Sequence, residues 1–192
     1  MKKLILILIA LSFVGVCLGA SIQDMHRAVI ARKTVAASGP DGTVGYQSTI
    51  CDYAPANTTR VTGNNAATIS GTVTKIILTI SGTDGTEFEV ASFSASGNDL
   101  TTNASATITT TGVAGAQEFN APGDFTAFAI NAGEYIGVHV PFGGEAICKY
   151  DSAPAPVAGD WYIGLDYIPC TSETFTYEAS GQYAIYGEIT AD

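Results

Sequence analysis

Val73-Thr74-Lys75-Ile76-Ile77-Leu78-Thr79-Ile80-Ser81 is the stretch on which the fold turns. Ile76, Leu78 and Ile80 fall on one side of an extended chain, with Lys75, Ile77 and Thr79 on the other. That period of two is the mark of a half-buried strand. The run Ser81-Gly82-Thr83-Asp84-Gly85-Thr86 is turn chemistry. The next segment sets Glu87 and Glu89 against Phe88 and Val90. Together the two segments predict a β-hairpin with one buried and one wet face.

The same alternation continues down the chain. Ala104 to Thr110 alternates around Ile108, and Ala121-Pro122-Gly123-Asp124 is a turn. Phe125, Phe128 and Ile130 lead to Asn131-Ala132-Gly133, and Ile136, Val138 and Val140 form a strand face. Trp161, Ile163, Leu165 and Tyr167 share the next face, read as core, and Tyr183, Ile185 and Ile189 line the last. After residue 45 no segment keeps a period of 3.6, so a sandwich or barrel follows. No internal repeat supports a propeller or solenoid.

The run Asp124-Phe-Thr-Ala-Phe-Ala-Ile-Asn-Ala-Gly-Glu-Tyr-Ile-Gly-Val-His-Val140 resembles a stretch of the jelly-roll modules of secreted microbial and phage surface proteins. Gly159-Asp-Trp-Tyr-Ile-Gly-Leu-Asp-Tyr-Ile-Pro169 and Tyr183-Ala-Ile-Tyr-Gly-Glu-Ile189 are similar to them too. The resemblance implies a layout over about residues 45–190 and carries over no functional residues. Glycan or surface attachment is a common suggestion for that family. The expected fold is therefore all-β: a single jelly-roll-like antiparallel β-sandwich of about eight to ten strands, over residues 45–192.

The N-terminus carries Lys2 and Lys3, then an uncharged and almost wholly apolar run from Leu4 to Ala20, closed by small residues. This is the plan of a secretory signal peptide over residues 1–20. An uncleaved anchor would need a longer apolar run. A lipid anchor on Cys17 is the third option, with Val16 a poor residue before it. The expected location is extracellular, secreted or surface-displayed, with no stable membrane span after cleavage. Residues 21–44 read as a spacer or N-terminal arm. The 192-residue chain has a net charge of −10. From Asp41 onward only Arg60, Lys75 and Lys149 are basic, against 17 acidic residues. Such a body repels phosphate, so no nucleic acid partner is expected.

Cys51, Cys148 and Cys170 remain after the leader. Export permits a disulfide, and Cys148–Cys170, which flank one strand, are the expected pair. The two histidines, His26 in the spacer and His139 in mid-strand, give poor material for a Ser–His–acid triad, and no Gly-x-Ser-x-Gly is present. Glu87 and Glu89 share a strand face about 6–7 Å apart, a separation glycosidases use, but the wet-face reading of them is simpler. Asp84, Asp99, Asp124, Asp151 and Asp160 lie in or beside expected loops and are candidate calcium ligands, without EF-hand spacing. Tyr162 and Tyr186 fall opposite the presumed core and are the candidate stacking rings for a glycan. Asn57-Thr58-Thr59 and Asn103-Ala104-Ser105 match glycosylation sequons.

The functional expectation is a secreted, non-catalytic β-sandwich that binds a glycan or a protein surface, with calcium as a possible cofactor. One alternative is a structural subunit that self-associates through residues 22–40 by strand addition. The other is a carbohydrate-active enzyme using Glu87 and Glu89.

Overall fold

The computed structural model describes residues 39–49, 51, 57–82, 85–142, 146–150, 159–179 and 182–192. The expected signal peptide, most of the expected spacer, Asp84 and Asp151 lie outside the described residues. From Pro40 onward the chain is one unit, and it is all-β. Among the described residues the strands number fifteen: β1 (Gly42–Gly45), β2 (Thr58–Thr62), β3 (Gly71–Ser81), β4 (Glu87–Ser96), β5 (Asp99–Thr109), β6 (Gly115–Asn120), β7 (Phe128–Ile130), β8 (Tyr135–Val140), β9 (Ala146–Ile147), β10 (Lys149–Tyr150), β11 (Asp160–Gly164), β12 (Glu173–Thr174), β13 (Thr176–Glu178), β14 (Gln182–Tyr183) and β15 (Ile185–Thr190). The count exceeds eight to ten because several strands are pieces of two or three residues, broken at single positions such as Cys148 and Ala184. The first strand starts at Gly42, slightly before the expected boundary at residue 45.

The strands form two antiparallel sheets. The first has the order β1-β15-β3-β6, with β7 and β9 also on β3; the second has the order β12-β5-β4-β8-β2-β11-β13. A short β10–β14 ribbon accompanies them. Val44, Ile76, Leu78, Ile80, Phe119, Ile185 and Ile189 of the first sheet bury against Phe88, Val90, Ile108, Ile136, Val138 and Val140 of the second. The alternation of Ile76, Leu78 and Ile80 thus points as expected. The expected hairpin does not form. Strand β3 pairs within the first sheet and β4 within the second. Both strands have an apolar face, and crossing between sheets lets those faces bury each other, which side-by-side pairing would not. The hairpin partner of β4 is β5, in register from Glu87↔Thr109 to Ser96↔Asp99, turning through Gly97 at a φ of +65°.

The second sheet is curled. Residues 173–174 pair with β5, at one end of the strand order, and residues 176–178 pair with β11, at the other. One segment interrupted only at Phe175 therefore ties both edges together. The face turned away from the first sheet becomes the inside of the curl, and it carries its own core: Val61, Ala91, Phe93, Leu100, Trp161, Ile168, Cys170 and Phe175. Phe93 and Phe175 meet edge to face with centroids 6.2 Å apart. Gly137 leaves room for this packing, since a Cβ there would lie 2.7 Å from both Phe93 and Val61. Each buried large apolar side chain contributes about 1.5–3 kcal/mol, so this second core is enough to hold the curl shut.

Cys51 is bonded to Cys148, and Cys170 is a buried free thiol. The expected Cys148–Cys170 pair is not made. Cys148 lies between Thr79 of β3 and Ala184, donating its N–H to one and accepting from the other. Cys170 is in the curl, with its backbone bonded to Thr102. Proximity in sequence did not translate into proximity in space because Cys148 follows β9 of the first sheet, whereas Cys170 packs into the curl of the second.

Candidate functional site

Register places the side chains inside the curl. Thr107, Glu89, His139, Thr59 and Ile163 form one row across β5, β4, β8, β2 and β11. The neighbouring row on the same face is Ser105, Ala91, Gly137, Val61, Trp161 and Tyr177. Facing residues on adjacent strands lie about 5 Å apart. Glu89 and His139 are therefore immediate neighbours, as strand alternation requires once Val90, Val138 and Val140 take the other face.

The polar members of this patch are only partly committed. Ser105 donates its hydroxyl to Glu89 Oε1 at 2.9 Å. Asp166 Oδ2 lies 3.6 Å from His139 Nδ1, and the Asp166 side chain is 51% exposed. His139 Nε2 is buried without a hydrogen-bond partner among the described residues. Thr59 organises the rim: its hydroxyl donates to the Leu165 carbonyl and accepts from the Tyr167 N–H. That pins the 165–167 turn, in which Leu165 has a φ of +73° and points into solvent. A branched aliphatic residue in this backbone region is strained and is held there by its surroundings.

Three rings lie beside the polar row. Tyr135 meets Trp161 edge to face at 5.0 Å, and Trp161 meets Tyr177 at 5.5 Å. Tyr177 is 44% exposed while Trp161 is buried. The Trp161 N–H donates to Asn98 Oδ1 and the Gly159 N–H donates to the Tyr177 hydroxyl, so the rings are fixed in place. Trp161 is core as expected, but in the curl and not between the sheets.

Tyr162 consequently faces the other way. Its ring is partly buried on the face turned towards the first sheet, 4.5 Å from the guanidinium carbon of Arg60, which also lies 4.9 Å from the Tyr183 ring. Arg60 is buried, and its Nε donates to the Thr58 hydroxyl. Tyr162 is thus a support for a buried cation and not the exposed stacking ring expected. Alternation told which residues of β11 share a face but not which face looks inward. Tyr162→Ala is expected to cost about 2 kcal/mol of stability, read as a lower urea midpoint, through loss of the cation–π contact and the space left. Tyr186 does lie on the outer face of the first sheet, half-buried and beside Glu118, Glu188 and Lys75. Burial first, and then Glu188, raise its pKa, with Lys75 opposing. It belongs to a different sheet from Tyr162 and Tyr177, so the expected rings do not form one platform.

Of the candidate calcium ligands, Asp99, Asp124 and Asp160 are described, and each has a separate setting. Asp99 accepts from the hydroxyl of Thr174, its partner across the β5–β12 pair, and Asp124 accepts from the Asn120 N–H as a local turn former. Asp160 is not in a loop. It starts β11, has no exposed surface, and accepts from the Gly63 N–H at 3.1 Å and the Tyr183 N–H at 3.0 Å. Burial pushes its carboxyl up to about 7, against the opposing pull of those two N–H groups, the Thr62 hydroxyl and the Lys149 charge. Lys149 is itself buried and ion-paired with Glu178 at 2.7 Å. Among the described residues no three His, Cys, Asp or Glu side chains are grouped to hold a metal. Glu87, the other candidate acid, is exposed at the start of β4, on the same face as Glu89.

Two features went unnoticed in the sequence. Glu134 is buried and accepts from the Asn103 amide, the Asn131 amide and the Asn131 N–H. It locks the turn before β8 to β5 and so fixes Tyr135; the only hint was its place after the Asn131-Ala132-Gly133 turn. Asp166 gave no signal, because its partner His139 lies on a strand far away in sequence. Comparison of the chain with protein-family models, with curated proteins and with solved structures finds no match.

Proposed function

We propose that the protein is an exported, non-catalytic binding module whose site is the inner face of the curled second sheet, and that its ligand is a glycan. One observation carries this: a cluster of polar groups, Ser105, Glu89, His139 and Asp166, lies on the side of the second sheet that also carries the exposed, braced ring of Tyr177. Sugars present hydroxyls around an apolar ring face, and this combination of carboxylate, imidazole and aromatic surface matches that chemistry. The leader-like N-terminus supports export. The Cys51–Cys148 disulfide fits an oxidising, non-cytoplasmic compartment. No helix among the described residues is long and apolar enough to cross a membrane.

A glycan array probed with the mature protein tests the reading. Glycans bound by the wild type are expected to lose about tenfold or more in affinity with Tyr177→Ala, His139→Ala or Glu89→Gln, equivalent to about 1.4 kcal/mol each. Tyr186→Ala should leave binding unchanged. Equal loss with Tyr186→Ala and none with the other three would place the site on the first sheet.

A further inference from the structure

The edges of the two large sheets are unequally protected. The second sheet ties its own edges together through residues 173–178. On the first sheet, β1 has its outward groups satisfied by the 65–68 loop. Thr43 donates to the Thr68 hydroxyl and accepts from the Thr68 N–H, while Gly45 donates to the Asn65 carbonyl and accepts from the Asn65 amide. Strand β7 is short, and its Ala129 carbonyl accepts from Ser92 of the second sheet.

Strand β6 is different. The Ala121 N–H bonds to the Thr74 carbonyl, and by the alternation of an antiparallel ladder Phe119, Gln117 and Gly115 also bond towards β3. The N–H and C=O groups of Ala116, Glu118 and Asn120 then point outward. Those of Asn120 are satisfied by Asp124. Those of Ala116 and Glu118 have no partner among the described residues, and Val113, next to this edge, is 64% exposed. An open edge with an apolar neighbour is a template for one more strand.

We propose that the occupant is residues 22–40 of a neighbouring copy. Within that segment Arg27, Arg32 and Lys33 oppose a single acid, Asp24, whereas the body has 17 acidic residues against three basic ones. The outer face beside β6 holds Glu118 and Glu188, sharing Lys75 at 3.2 and 3.5 Å. Opposite charge therefore favours this docking. As an extended strand, Ala28 to Val35 puts Val29 and Val35 on one face, where they can cover Val113. The segment joins the fold at β1, the opposite edge of the same sheet, three strand spacings or about 14 Å from β6. Each copy thus gives a strand at one edge and receives one at the other, a head-to-tail interface that can propagate. This inference is independent of the glycan site.

The test compares the mature chain with the same chain carrying Arg27→Glu, Arg32→Glu and Lys33→Glu. Sedimentation velocity over a range of concentrations should show assemblies for the first and a monomer for the second. Hydrogen exchange should show the amides of Ala116 and Glu118 slowed at least about tenfold in the assemblies. A wild type that is monomeric throughout, assemblies that leave both amides unprotected, or assemblies indifferent to the charge reversal would each overturn the proposal. Slowed amides in a wild type that stays monomeric would also overturn it, by placing the strand on its own chain.

Discussion

Replacing Asp160 by alanine is expected to lower the free energy of unfolding by about 3–5 kcal/mol, the largest effect of any single side chain in the account. Its two carboxylate oxygens hold the N–H of Gly63, where the chain leaves the second sheet, and the N–H of Tyr183 in β14. Removing it orphans two buried donors and takes a negative charge away from buried Lys149. Urea unfolding at fixed pH measures the loss. The same residue sets a pH dependence. Its folded-state value of about 7 lies above the ordinary 3.8, so between these values the native state holds a proton that the unfolded state has released. Asp160's contribution is complete below about pH 4 and is lost as pH rises through 7, by up to about 4 kcal/mol. Asp160→Asn cannot titrate and has one acceptor for two N–H groups. Its deficit against the wild type is expected to be largest at or below about pH 4, to shrink as pH rises from 4 to 7, and to level off above that. A deficit that grows with pH would contradict the assignment.

Opening the disulfide by Cys51→Ser with Cys148→Ser is expected to cost about 4–5 kcal/mol. The bridge spans 97 residues, and a loop of about that length restricts the unfolded chain strongly. It also fastens the segment before β2 to the junction where Cys148 meets Thr79 and Ala184. Thermal unfolding with and without reductant gives the comparison: the double variant should match the reduced wild type. If reductant leaves the midpoint of the wild type unchanged, the bridge is not the constraint described.

The sequence made the strands legible and their neighbours much less so. Ile76, Leu78 and Ile80, or Val138 and Val140 with His139 opposite, followed from alternation alone. The β3–β4 hairpin did not, because a turn-rich connection looks the same whether it returns in the same sheet or crosses to the other. The curl was invisible for a related reason. Residues 173–174 and 176–178 are strands too short to alternate, and they gain their meaning only from pairing with β5 and β11. The curl in turn decides the site. It gives the second sheet two buried faces, so alternation grouped Trp161 and Ile163 without telling which side they pack on, and Leu165, expected on the same buried face, is exposed in the 165–167 turn. Hence Tyr162 was read outward when it supports Arg60. Glu89 and His139 were each read singly, and their grouping with Tyr177 is a product of register. Asp160, beside Gly159, carried the local signature of a turn and a calcium ligand. Its role depends on two backbone groups distant in sequence, one of which, the Tyr183 N–H, belongs to the β14 strand beyond residue 180.

The imidazole of His139 reports most directly on the proposed site, since His26 is the only other histidine in the chain. Nuclear magnetic resonance of the imidazole nitrogens, recorded while a glycan selected on the array is added, should show the His139 signals shifting in step with occupancy. Unmoved His139 signals, with amide shifts instead at Ile77, Glu118 and Tyr186, would contradict the account and move binding to the outer face of the first sheet.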